Sequence, residues 1–136
     1  MEDKLLRQFK SGLEEEICSY ESMLRISLDE KKVLIKGGYS HELVSLASER
    51  LRLMNRIMQV SVVVSPLKAI WLMNREKEDS TRDRDEIEPL VNQLEKVLEE
   101  LFSVDSENAK KFAELTGKQP LLDSEHTTES TTGEKK

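Results

Sequence analysis

Between Leu5 and Ile35 the apolar side chains fall at Leu6, Phe9, Leu13, Ile17, Tyr20, Leu24, Leu28 and Leu34 or Ile35, in steps dominated by three and four. Side chains so spaced share one face of an α-helix. A stripe this long predicts a helix of many turns, whose apolar face has to be buried against other elements. Gly12 costs about 1 kcal/mol of helix propensity against alanine, yet the stripe runs through it in register, which suits a close contact there. The stop signal is Lys36 in the last turn followed by Gly37-Gly38, which supplies a left-handed exit.

A second helix starts within a few residues. Ser40 has the chemistry of an N-cap, Glu42 suits the first turn, and Tyr39 is placed to staple onto Val44. So short a connection returns the chain antiparallel, as a helical hairpin. The second stripe reads Leu43, Leu46 or Ala47, Leu51, Met54, Ile57 or Met58, and on to Val64. At Ser65-Pro66 the proline ring removes the hydrogen bond to the Val62 carbonyl. Serine as N-cap with proline at the first helical position predicts a restart there, with Leu67, Ile70 and Trp71 facing the core from a short third segment. The β-branched Val60, Val62, Val63 and Val64 leave a strand as the alternative, though no partner strand is visible elsewhere.

Residues 74–86 are almost wholly polar and read as a hydrophilic linker, looped or helical. Beyond it Ile87, Leu90 or Val91, Leu94, Val97 or Leu98, Leu101 and Phe102 step by three and four again. Pro89 fits a first turn, so this helix is predicted to begin between Asp83 and Glu88. Asp105 or Ser106 then caps a last short helix carrying Ala109, Phe112, Ala113 and Leu115 and ending at Gly117. The fold expected is therefore all-α: an antiparallel hairpin extended to a three- or four-helix bundle over residues 1–116. The Ser, Thr, Gly and charge-rich residues 117–136 form a disordered tail.

Composition narrows the function classes. Of 136 residues 35% are charged and only 4% aromatic, and the net charge of −6 lacks the basic footprint of a general nucleic-acid binder. Cys18 is the single cysteine, and the N-terminal residues carry no apolar signal-peptide core, which points to the cytoplasm. The apolar run from Val60 to Met73 is short for a bilayer span and contains Pro66 and Lys68, so it reads as packing surface without membrane insertion.

Searches for chemistry return little. His41-Glu42 opens like a zinc-protease motif, but the residue four on is Ser45, which removes the second ligand. Glu-x-x-His pairs at core-facing positions, as a di-iron bundle needs, are absent. Cys18 has no histidine in its own helix and reads as a core residue. No catalytic, cofactor-binding or metal-ligating set emerges, so an enzyme is not expected. Apolar residues beyond a single seam, near Val60 to Met73 and Leu94 to Phe102, suggest a partner groove or a homodimer, or else a filled core. Met54, Met58 and Met73 suit either use.

The hairpin carries a resemblance. Glu21, Leu24, Leu28, Lys31, Lys32, Leu34 and Ile35, then Leu43, Leu46, Glu49 and Leu53, follow the pattern of the FlgN family of flagellar export chaperones. That pattern is a glutamate with spaced leucines, a lysine-rich helix end, a short polar turn and a Leu-x-x-Leu helix with Glu and Arg. The resemblance covers roughly residues 13–58. It implies a cytoplasmic bacterial protein, without cofactor, that binds the C-terminal helices of the hook–filament junction proteins FlgK and FlgL and delivers them to the type III export gate. On that reading the client-binding candidates are Ile87, Leu90, Leu94, Leu98, Leu101, Phe102 and Phe112. Some family members use a tyrosine in the C-terminal half at the gate; no tyrosine follows Tyr39 here, so that role has no carrier. Other readings are a chaperone for another type III client, such as a filament-cap protein, and a structural tether or coiled-coil subunit of a larger complex.

Overall fold

The computed structural model describes residues 1–37, 41–74 and 81–117, with the side chains of Thr81 and Arg82 left aside. Three long helices account for them: α1 (Asp3–Ile35), α2 (His41–Asn74) and α3 (Thr81–Thr116). No strand occurs among the described residues, so Val60 to Val64 are helical. Gly37 closes α1 with φ +75° and Gly117 closes α3 with φ +72°, the left-handed exits that glycine makes without strain. The Gly37 amide donates to the Leu34 carbonyl at 3.0 Å. The proposed cap at Ser40, the staple at Tyr39 and the tail beyond Gly117 lie outside the described residues.

Contacts along α1 fix the directions of the other two helices. Arg50, Arg56 and Val64 of α2 meet Ser27 and Glu30, then Glu15, then Gly12 of α1, so α2 runs antiparallel to α1. Asp83, Asp105 and Glu107 of α3 meet Met1, Ser27 and Lys31, so α3 runs parallel to α1. Both flanking helices lie close along α1 and approach each other much less. The principal core joins Leu6, Phe9, Leu13 and Ile17 of α1 to Val64, Leu67 and Trp71 of α2 and Ile87 and Leu94 of α3. Phe9 and Trp71 pack tilted, ring centroids 6.1 Å apart. A smaller cluster of Met23, Ile57 and Leu101 continues it toward the other end.

Two expected breaks are absent. α2 passes through Pro66 without restarting, and α3 runs on through Asp105 and Ser106; α3 also starts at Thr81, before the expected Asp83 to Glu88, so that Pro89 lies inside the helix and not in its first turn. Both prolines lie on exposed surface. The carbonyls they leave without an amide partner, at Val62 and Asp85, belong to exposed residues open to water, which softens the penalty. On the buried side Val64 and Leu67 bracket Pro66, and Trp71 adds a further anchor, holding the helix on α1. Ile70, expected in the core, is exposed. Asp105 is not a cap; its carboxylate accepts from Ser27 and Arg50.

The central position of α1 widens its buried face. Met23, Ile26, Ser27 and Val33 are buried as well as Leu6, Phe9, Leu13, Ile17 and Leu34 of the expected stripe, whereas Tyr20 and Leu24 are half-buried and Leu28 and Ile35 exposed. Cys18, expected in the core, is exposed on the remaining free side of α1. At Gly12 a β-carbon would come within 2.5 Å of Val64 Cγ2, so glycine is what allows α2 this close.

Candidate helix-binding surfaces

Arg50, Ser27 and Asp105 form a polar tie among all three helices. From α2 Arg50 donates to Ser27 Oγ at 2.7 Å and Glu30 Oε1 at 3.3 Å on α1, and to Asp105 on α3. Ser27 is fully buried, and its hydroxyl passes the hydrogen bond on to Asp105 Oδ1 at 2.6 Å. Asn108 donates to the Ser27 carbonyl at 2.9 Å, and Lys31 pairs with Glu107 nearby. Burial pushes the Glu30 carboxyl above its ordinary pKa, with Arg50 opposing the shift and Asp105 adding to it. The guanidinium fork thus holds two carboxylates that would otherwise repel each other.

Glu16, farther along α1, is a buried acid. Burial raises its pKa and Lys68 of α2 offsets part of the rise. Tyr20, one turn on, is raised by burial and by Glu16. No group of three or more His, Cys, Asp or Glu side chains able to hold a metal occurs among the described residues. His41 opens α2 and is exposed, while Cys18 sits halfway along α1. Because the α2 start lies beside the α1 end, the two are separated by about 25 Å of helix and form no dyad. Shallow grooves run between α1 and α2 on the side away from α3. One of them, about 670 Å³, is bordered by Arg25, Glu49, Arg52 and Arg56 as well as Leu46 and Leu53.

The seven candidate residues on α3 divide by burial. Ile87, Leu94 and Leu101 are in the core against α1, and Leu90 is half-buried against it, so these four are already occupied within the chain. Leu98 at 37%, Phe102 at 65% and Phe112 at 38% exposure remain on the surface. Leu98 and Phe112 are separated by fourteen residues, close to four turns, with Phe102 one turn beyond Leu98 on the same side. They form an apolar strip on α3, whose other large exposed hydrophobic side chain among the described residues is Leu115, 42% exposed near the helix end.

The larger surface is on α2, where the sequence showed apolar residues beyond a single seam from Val60 to Met73 but not how far toward Val44 the exposed face extends. Ile57, Val64, Leu67 and Trp71 turn toward α1, but Leu51, Met54 and Met58, read in the stripe that runs to Val64, are 47 to 65% exposed. Val44, Val62, Leu72 and Met73 are exposed too. By length and composition α2 is apolar enough to cross a membrane, with 22% of its most apolar window buried. The usable signal was that α2 is apolar on two faces, which steps of three and four cannot separate.

Comparison with family models, with curated proteins and with solved structures finds no match.

Proposed function

We propose that this chain is a cytoplasmic, non-enzymatic export chaperone of FlgN-like type, which holds an amphipathic C-terminal helix of a flagellar junction protein on the outer strip of α3. The observation that carries the reading is Phe102. It is a large aromatic side chain left 65% exposed beside Leu98 on a well-formed helix, in a chain with few aromatics to spare. A client helix that is unfolded before assembly presents its own apolar face at i, i+3, i+4 and i+7, and a strip of this form accepts it by helix-on-helix packing. The acidic surface around the strip keeps the loaded complex soluble. Delivery to an export gate follows from the resemblance of the hairpin, and its docking residue stays unassigned.

Titration of the full chain with the C-terminal segments of FlgK and FlgL tests the reading. The expected result is binding at micromolar concentration that Phe102→Asp abolishes while helicity is unchanged. Absence of binding to either segment refutes it. The exposed face of α2 favours a second reading, a structural subunit of a larger helical assembly, which predicts stable association without client binding.

A further inference from the structure

We propose that the outer face of α2 is a self-association surface, on which a second copy of this chain packs its own α2 antiparallel about a two-fold axis at Met58. The face consists of Val44, Ala47, Leu51, Met54, Met58, Val62, Ser65, Ala69 and Leu72, every one of them exposed. Their steps are three, four, three, four, then four, three, four, three. At 3.6 residues per turn the nine lie within about 80° of the helix circumference, as one straight seam.

The order of steps is a palindrome centred on Met58. Reversing the helix therefore superimposes the seam on itself: Val44 faces Leu72, Ala47 faces Ala69, Leu51 faces Ser65, Met54 faces Val62 and Met58 faces its twin. A two-fold interface requires this self-complementarity, since each residue must accept the residue that accepts it. A lipid surface requires only a one-sided apolar face, and a foreign helix gains nothing from the symmetry.

The chemistry of the seam suits the pairing. It holds no charged residue, and its one hydroxyl, on Ser65, lies 3.3 Å from that of Ser61 and enters the interface with a hydrogen-bond partner. The two acids of α2, Glu42 and Glu49, border the grooves against α1 instead. Small residues at Ala47, Ser65 and Ala69 allow the helix axes to approach, and long ones at Leu51, Met54 and Met58 fill the space between them. Exposure of 65% at Val44, 61% at Leu51, 65% at Met58 and 74% at Val62 brings the seam, with its neighbours, to on the order of 800 Å², one partner's share of a standard-size interface. The strip on α3 does not enter this interface, so self-association stands or falls independently of client binding.

Sedimentation of the full chain at tens of micromolar tests the proposal, with Met58→Glu as the disrupting variant and Val62→Glu as a second. The expected result is a dimer whose dissociation constant rises by at least roughly 100-fold in either variant, because two carboxylates are buried in an apolar seam, facing each other in Met58→Glu and facing Met54 in Val62→Glu. Helicity is unchanged in both, since the sites are exposed. In a Cys18→Ser background, Met58→Cys is expected to form a disulfide-linked dimer on mild oxidation. Leu51→Cys is not, because it would lie about 21 Å along the axis from its twin. A mixture of Leu51→Cys and Ser65→Cys chains cross-links. A monomer throughout this range overturns the proposal, as does a dimer indifferent to both glutamates or self-linking by Leu51→Cys, which marks a parallel pair. A monomer that floats with phosphatidylcholine and phosphatidylglycerol vesicles, or that binds a client segment through the Met58 face, also overturns it.

Discussion

Replacing Gly12 by alanine sets two effects of similar size against each other. In an isolated helix the change stabilises by about 1 kcal/mol. Here the new methyl would lie 2.5 Å from Val64 Cγ2, far inside contact distance, and Val64 is 2% exposed. Its β-branched side chain has one strongly preferred rotamer in a helix, so the strain falls on the spacing of α1 and α2. Overpacking of this kind costs about 1–3 kcal/mol, which leaves a net loss of about 1 kcal/mol, or a fall of about 4 °C in Tm for a domain of this size. Val64→Ala alone costs about 2 kcal/mol through lost burial and a cavity. With the Val64 methyls gone, the nearest remaining atom of that side chain is Cβ, 3.9 Å away, an ordinary contact. In the Val64→Ala background Gly12→Ala should therefore stabilise by about 1 kcal/mol, so the same substitution changes sign. Urea unfolding followed by far-UV circular dichroism, at one fixed protein concentration, measures all four corners of the cycle. Equal stabilisation in both backgrounds would show that α2 does not approach α1 at Gly12.

Three further outcomes follow from the same contacts. Arg50→Ala leaves Glu30 and Asp105 without their shared cation and should cost about 2 kcal/mol in urea unfolding, less than a fully buried pair because the site is partly exposed; Arg50→Lys, lacking the fork, should restore only part of it. Glu16→Gln should stabilise the protein at neutral pH. Because burial raises the Glu16 pKa, the folded state binds more protons than the unfolded one, so wild-type stability falls as pH rises through a window opening just above the ordinary carboxylate pKa. The variant should lose that slope, and thermal unfolding across pH 4–7 checks it. On α3, Leu94→Ala and Leu101→Ala should each cost about 2–4 kcal/mol while Leu98→Ala and Phe102→Ala stay within about 0.5 kcal/mol, which chemical unfolding separates.

The functional candidates show where sequence reasoning ends. Ile87, Leu94, Leu98, Leu101 and Phe102 obey one periodicity, and nothing in that periodicity says which of them meets α1 and which meets solvent. Leu101 and Phe102 are neighbours in sequence, yet the first is in a core cluster and the second is 65% exposed. The polar tie at Arg50 was hidden for another reason. Its partners are 20 to 55 residues away along the chain, and Arg, Ser, Glu and Asp on helices read as ordinary solvated positions until a third helix brings them together.

Local chemistry alone determined the helical class, the run of α1 from its stripe to Gly37 and the close of α3 at Gly117, because spacing and left-handed glycine exits act within a few residues of chain. Tertiary packing decided what local rules left open. Pro66 and Pro89 are carried inside continuous helices because the burial around them outweighs the lost hydrogen bonds and their faces stay wet. α1 acquired a broad buried face because two helices press on it, while α2 meets α1 along one side and keeps a second apolar side exposed. Hydrophobic burial is non-directional, so a sequence marks which side chains avoid water, and only the arrangement of neighbouring helices determines which of them succeed.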